Sequence, residues 1–139
     1  MISYNYELDF NLPNELRISK WITLVIEVEG FLEGEINYIF CDDSYLHKLN
    51  LEFLNHDTLT DVISFDYREG KILHGDIFIS VERVRENAIE FDVDFEKELY
   101  RVIIHGILHY CGYKDKEISD VEEMRSKEDF YLNKLNFIN

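Results

Sequence analysis

Hydrophobic and polar residues alternate from Ile2 to Phe10, which predicts a first strand because successive side chains of a strand point to opposite faces. Pro13 and Asn14 then open a stretch whose apolar residues recur at helical spacing: Ile18, Trp21, Ile22, Val25 and Ile26. Gly30 and Gly34 are expected to end this helix region. The chain is thus predicted to begin with a strand and an amphipathic helix.

The next stretch predicts a buried strand from Glu35 to Cys41, followed by a second helix. Asp42, Asp43 and Ser44 are candidate caps, since their side chains can accept hydrogen bonds from free backbone N–H groups. This helix is expected to run through Leu46, Leu49, Leu51 and Phe53. Two further strands, Val62 to Tyr67 and Ile72 to Ile79, surround a turn with Gly70 and predict a hairpin.

The second half of the chain has helical periodicity. One helix is expected from Ser80 to about Phe91, and another from an Asp94 cap to about Cys111, with Gly112 at the left-handed position that ends it. Ser119 and Glu122 have the spacing of a capping box and predict the start of a last helix. Its apolar positions are Val121, Met124, Tyr131, Leu132 and Leu135.

Strands in the first half and helices in the second predict an α+β fold, with a small mixed sheet of about four strands covered by helices. The pattern leaves the strand order open. A length of 139 residues, of which 46% are hydrophobic and 14% aromatic, can supply one continuous core, so we expect a single domain over residues 1–139 and exclude general disorder.

The chain is expected to be a soluble cytoplasmic protein without a membrane segment. Glu7 and Asp9 interrupt the beginning of the chain, which lacks the layout of a signal peptide. The longest apolar stretch, around Trp21 to Val28, contains Glu27 and is too short to span a bilayer. Two cysteines make a secreted disulfide framework improbable and favour reduced thiols.

A formal net charge of −15 argues against broad, sequence-independent contacts with nucleic acid phosphates. A nucleic acid substrate would need a local cationic site, a bound metal ion or a partner to overcome this repulsion. The alternative is that the excess acid only keeps a small domain soluble.

The most informative stretch is HGILHYCGYKD, residues 105–115. His105 and His109 are four residues apart in a predicted helix, so both imidazoles can face a common ion near the helix C-terminus. Gly112 allows the chain to turn back, which could bring Asp115 to the same ion. Three protein ligands and one open position are typical of catalytic zinc.

Two observations limit this hypothesis. Histidines can occur four apart by chance, and Asp115 between Lys114 and Lys116 is also compatible with an ordinary solvated turn. A zinc protease would carry glutamate directly after its first histidine, and here that residue is Gly106, which disfavours proteolysis by that mechanism.

The same stretch resembles the HGxLHLxGYDH signature of the YbeY endoribonucleases, which are rRNA maturation factors. Three further segments resemble that family in the same order: Leu49 with Asn50, TDVISF at residues 60–65, and GDIFIS at residues 75–80. The resemblance implies a single-domain α+β hydrolase with one zinc ion and His105 and His109 as its first two ligands. It further implies cleavage of single-stranded RNA in ribosomal RNA processing and ribosome quality control. The partners expected from the resemblance are ribosomal RNA and either ribosomal proteins or the small ribosomal subunit.

The chain departs from the family pattern at two positions. Asp115 replaces the usual third histidine ligand, and its negative charge should make bound water less acidic. Leu54 stands where the family commonly has arginine, and His56 is a candidate partial substitute. Thr60, Asp61 and Ser64 lie in a matched segment and are candidates to line the RNA groove, although the first two could also form turn hydrogen bonds.

Two other functions stay open at this level. The protein could be a non-catalytic ribosome-assembly protein in which zinc only stabilises the helix end and the acidic surface binds a basic ribosomal protein. It could instead be a metal-dependent hydrolase of a substrate other than RNA.

Overall fold

A computed structural model describes residues 1–54 and 60–139 of the chain. Four strands form one mixed sheet, as the α+β prediction requires. The elements in chain order are β1 (Ile2–Tyr6), α1 (Glu15–Val28), β2 (Leu32–Cys41), α2 (Asp43–Phe53), β3 (Val62–Asp66), β4 (Ile72–Ser80), α3 (Val81–Phe91), α4 (Phe95–Tyr110) and α5 (Ile118–Leu135).

The strand order in the sheet is β1-β2-β4-β3. β1 and β4 both pair in parallel with β2, whereas β3 pairs antiparallel with β4 as the predicted hairpin. Parallel neighbours need a connection that crosses a face of the sheet, and α1 provides it between β1 and β2. The sheet is therefore mixed, with its antiparallel strand at one edge.

Two hydrophobic clusters lie on the sheet. The larger cluster joins β1, β2 and β4 to α1, α4 and α5, and the five α1 residues expected at helical spacing are all fully buried in it. The smaller cluster contains Cys41, Leu46 and Ile63 and is formed by α2 with β2, β3 and β4. Burial of apolar side chains in these clusters is the main stabilising contribution to the fold.

Two predictions about the first strands were wrong. β1 ends at Tyr6 rather than Phe10, because its partner β2 ends at Cys41 and the Glu7 N–H already bonds to the Phe40 carbonyl near that end. Gly34 does not end the helix region but lies within β2, where a Cβ atom would collide with the His74 ring of β4. Glycine is thus required at this position by the close approach of two strands.

The helix predicted through Leu46, Leu49, Leu51 and Phe53 is α2, whereas the predicted start of α5 was wrong in detail. Leu51 and Phe53 are 44% and 62% exposed, because α2 packs through the face that carries Leu46. The capping box at the start of α5 is formed by Glu117 and Asp120 rather than by Ser119 and Glu122. α5 begins at Ile118, so a serine at 119 lies inside the first turn and cannot be the cap.

Gly75 fixes how the end of α4 packs against the sheet. The Tyr110 hydroxyl donates its one proton in a hydrogen bond shared between the Phe65 carbonyl at 3.0 Å and the Asp76 carbonyl at 3.2 Å. A Cβ atom at Gly75 would overlap the Tyr110 ring and crowd the Phe65 carbonyl. The absent side chain therefore lets Tyr110 lie flat against β4 and holds the last turn of α4 in place.

Gly75→Ala is expected to lower the free energy of unfolding by at least about 1 kcal/mol, because the added methyl group overpacks a rigid contact. Chemical denaturation measures the change. Gly70→Ala is the control for the loss of a glycine, since a Cβ atom there meets nothing within 4 Å and only the positive φ is strained. A Gly75→Ala variant as stable as the wild type would contradict the packing assigned to Tyr110.

Across the described residues, 1–54 and 60–139, no helix combines the length and apolar character needed to cross a membrane.

Candidate metal centre

The last turn of α4 and the loop after it bring three metal-binding side chains together. Gly112 has a φ of +104°, and its N–H bonds to the His109 carbonyl while the Tyr113 N–H bonds to the Leu108 carbonyl. These two bonds define a Schellman motif, which reverses the chain at the helix end. The reversal carries Asp115 back over the face of α4 that holds His105 and His109.

The three side chains converge on one point. The Asp115 Oδ2 atom lies 3.3 Å from His105 Nε2 and 3.2 Å from His109 Nε2. One ligand atom from each residue lies within 4.8 Å of the other two, and this group could hold a metal ion. The imidazole rings are nearly perpendicular, with centroids 4.5 Å apart, so each directs a different edge at the site.

The second nitrogen of each imidazole has its own partner. His109 Nδ1 lies 3.0 Å from the Tyr113 carbonyl oxygen, which can only accept, so Nδ1 must carry the proton. His105 Nδ1 lies 2.6 Å from Glu128 Oε2, and donation to that carboxylate gives the same tautomer. Both Nε2 atoms therefore present lone pairs toward Asp115.

Two imidazole lone pairs and one carboxylate oxygen repel each other unless a cation lies among them. In the metal-free protein, a proton between an imidazole nitrogen and the carboxylate can provide this positive charge. A divalent metal ion can instead bind all three atoms. Tetrahedral zinc with ligand bonds of about 2.0–2.1 Å separates its ligands by about 3.3–3.4 Å, close to the 3.2 and 3.3 Å seen here. The donor set and its spacing therefore fit zinc with three protein ligands and one open position.

Glu128 of α5 is a functional candidate that the sequence did not reveal. Its side chain is 4% exposed and lies between His105 Nδ1 and the Arg101 guanidinium, whose Nη1 donates to Glu128 Oε1 at 2.8 Å. A carboxylate on the outer nitrogen of a metal-binding histidine orients the ring and raises its basicity. The separation of 23 residues between His105 and Glu128 leaves no local sequence signal for this contact.

The carboxylates around His105 dominate its electrostatics. Burial disfavours the charged imidazolium, but the hydrogen bond and negative charge of Glu128, together with Asp115 and Asp61, raise the pKa of His105 above its usual value. Burial also raises the pKa of Asp61, partly offset by His105. The site is thus an acidic environment that attracts a cation.

A cavity of about 360 Å³ opens beside the centre and is lined by His105, Asp115, Glu128 and Asp61 among others. A larger cavity of about 670 Å³ lies elsewhere, beside Arg17 and Tyr100, and includes none of the candidate ligands. The smaller of these two cavities is therefore the one that borders the candidate ligands.

The other candidate substrate-binding residues are placed differently. Asp61 lines the cavity, while Thr60 and Ser64 are not among the lining residues found in the described part of the chain. The Thr60 hydroxyl lies 3.4 Å from the Val62 carbonyl, as expected of a turn residue. Leu54 follows α2 and is 43% exposed, and His56 lies outside the described residues.

A sequence model of the family described as Endoribonuclease YbeY matches residues 5–136. The chain belongs to this YbeY family. An Endoribonuclease YbeY from Flavobacterium johnsoniae is 64% identical over 129 residues, which cover 93% of each chain. Another from Karelsulcia muelleri is 50% identical over 132 residues and covers 95% of this chain and 94% of its own.

A solved structure supports the fold of this YbeY family member. The solution structure of TM1509 from Thermotoga maritima is 30% identical, with a TM-score of 0.68, over 97% of this chain and 89% of that chain. The resemblance inferred from the motifs at residues 105–115, 60–65 and 75–80 is thereby confirmed at the level of family and fold.

Proposed function

We propose that this protein is a zinc-dependent endoribonuclease that cleaves single-stranded RNA during ribosomal RNA processing and ribosome quality control. Membership of the YbeY family supports RNA as the substrate. The observation that carries the metal dependence is the convergence of His105, His109 and Asp115 on one point beside an open cavity. The substrate would be ribosomal RNA in the cytoplasm, and the protein would contact ribosomal proteins when it binds this RNA. Residues 1–139 would act as one domain.

Zinc at this centre would supply a Lewis acid that polarises a phosphodiester oxygen and activates the attacking hydroxyl or water. The chain's own residues keep the site competent for that chemistry. Glu128 and the Tyr113 carbonyl hold the two imidazoles with Nε2 inward. The ordered turn at Gly112 holds Asp115 against them and leaves the remaining side open to the cavity.

The activity can be tested with purified protein and matched single-stranded and double-stranded RNA oligonucleotides. We expect the zinc-loaded protein to cleave the single strand and to lose this activity in chelator, with recovery when zinc is added back. Cleavage that is insensitive to chelator would contradict the metal dependence, and absence of cleavage of either RNA under all conditions would contradict the proposed function.

Asp115→Ala is expected to lower zinc occupancy after purification, because it removes the only anionic ligand of the proposed site. Asp115→His should retain zinc and shift the activity toward lower pH, since a neutral ligand leaves the ion more able to acidify water. Elemental analysis of both variants and pH–rate profiles provide the measurements. Full zinc occupancy in Asp115→Ala would remove Asp115 from the proposed ligand set.

A second candidate function is a non-catalytic ribosome-assembly protein with a structural zinc ion. The observation that favours it is the exposed Leu54 at a position where the family commonly carries arginine, together with the net charge of −15. The two functions differ in whether the zinc-loaded protein cleaves RNA. A protein that binds zinc and a basic ribosomal protein but never cleaves RNA would favour the assembly function.

A further inference from the structure

The cavity beside the metal centre continues into a second cavity of about 120 Å³, with Phe91, Glu98, Arg101 and Arg125 lining both. Together they form one groove between the end of α3, the exposed face of α4 and the first turns of α5. We call this the α3–α5 groove. It begins at His105 and Asp115 and ends beside Lys97.

An exposed aromatic side chain lies along this groove. Phe91 is the last residue of α3 and is 55% exposed, although burial of a phenylalanine ring is favourable. Its ring makes no aromatic contact among residues 1–54 and 60–139. An unpartnered aromatic face beside a catalytic centre is suited to stacking on a nucleic acid base, because every base has a π-face.

The groove also holds cations that the protein does not neutralise. The Arg101 guanidinium is bound by Glu128 at 2.8 Å and Asp129 at 2.6 Å, so its charge is offset. Arg125 and Lys97 are exposed and form no ion pair within the described part of the chain. In a protein with a net charge of −15, these two side chains are suited to contact an anionic ligand.

The lining of the groove also includes the carboxylates of Asp61, Glu98, Asp115 and Glu128. Glu128 is held between Arg101 and His105. Glu98 is buried, and burial raises its pKa while the charges of Arg101 and Arg125 act in the opposite direction. Glu98 and Glu128 are therefore largely shielded from solvent, whereas Arg125 and Lys97 are exposed. Asp115 lies at the end of the groove next to the metal centre, where bound zinc would offset its charge.

We infer that single-stranded RNA occupies the α3–α5 groove, with a base stacked on Phe91 and a phosphate bound by Arg125 one or more nucleotides from the metal centre. This inference rests on the proposed function and identifies the path of the substrate. Exposed cations next to a stacking aromatic are the general features of single-strand recognition without sequence preference. Lys97 lies at the end of the α3–α5 groove away from the metal centre and can contact a further phosphate.

Fluorescence anisotropy of zinc-loaded protein with a labelled, single-stranded 2′-fluoro RNA tests the inference, with the integrity of the probe checked on a gel. Phe91→Ala should weaken binding about tenfold, the size expected for loss of one stacked base. Arg125→Gln should reduce the slope of log Kd against log salt by about 0.7, as expected for one phosphate contact on a single strand.

Two control variants carry matched changes outside the groove. Phe137→Ala removes an aromatic that is 83% exposed near the C-terminus, and Arg85→Gln removes a cation that lies 4.9 Å from the Phe95 ring centroid. Both should bind RNA like the wild type.

Wild-type binding by both Phe91→Ala and Arg125→Gln would overturn the inferred path, and wild-type binding by one of them would overturn the role given to that residue. If both variants bind like the wild type and the wild type cleaves RNA, the proposed function is retained and only the inferred RNA path is wrong. If the wild type neither binds nor cleaves RNA, the proposed function and the inference both fail.

Discussion

His109→Ala is expected to lower RNA cleavage by more than about a hundredfold and to leave the purified protein with little zinc. Even the loss of a residue that only supports a metal ligand costs about 10–100-fold in affinity or activity, and removal of a ligand should cost more. His109 Nε2 lies 3.2 Å from Asp115 Oδ2 and is one of the two nitrogens that face the site. Elemental analysis and single-turnover cleavage of a single-stranded RNA measure the two effects.

His74→Ala is the matched control for this variant. His74 accepts a hydrogen bond from the Glu35 N–H at 3.0 Å, on the sheet and away from the metal-binding group. We expect His74→Ala to keep its zinc and its cleavage rate. The account is contradicted if His109→Ala retains stoichiometric zinc, or if it cleaves RNA as fast as His74→Ala.

Glu128→Gln is expected to weaken zinc affinity about 10–100-fold while the direct ligands remain in place. The glutamine amide can still accept a hydrogen bond from His105 Nδ1, but it has no negative charge to make the imidazole a stronger ligand. It also leaves the Arg101 guanidinium without one of its two carboxylate partners. Competition with a chromophoric zinc chelator measures the affinity.

Asp129→Asn separates this effect from general damage to the ion pairs of Arg101. Asp129 accepts from Arg101 Nη2 at 2.6 Å, but it is exposed and does not contact His105. Its variant should bind zinc like the wild type. Equal zinc affinity in Glu128→Gln and Asp129→Asn would show that the charge of Glu128 does not strengthen zinc binding by His105. Thermal unfolding of both proteins in chelator should give similar midpoints. This result would exclude a loss of fold stability as the cause of weaker zinc binding in Glu128→Gln.

The helices were predictable because their signal is local. The apolar spacing of α1 was confirmed residue by residue, since an amphipathic helix shows its buried face in any window of the sequence. The hairpin of β3 and β4 was also predicted, because its two strands are adjacent along the chain and joined by a turn. The parallel pairing of β2 with β1 and β4 was not predicted, because these strands are not adjacent along the chain. α1 separates β1 from β2, and α2 and β3 separate β2 from β4.

The errors arose where distant residues determine the local structure. Gly34 has the sequence appearance of a helix terminator, yet its role depends on His74, a residue of another strand. The capping box moved to Glu117 and Asp120 because the position of the first helical residue, and not the residue type alone, decides which side chain caps α5.

The proximity of the three candidate metal ligands was predictable because the signal for it is also local. His105, His109 and Asp115 lie within one helix end and its turn, so helical geometry and the glycine at 112 are enough to place them together. Glu128 and the α3–α5 groove depend on how α5 packs against α4, which the sequence pattern does not specify.

The most direct test of the metal centre is an anomalous difference map at the zinc absorption edge from crystals grown with zinc and without chelator. We predict one peak about 2.0–2.2 Å from His105 Nε2, His109 Nε2 and Asp115 Oδ2. A well-ordered site with no peak between these three atoms, or a zinc peak bound by other residues, would contradict the account.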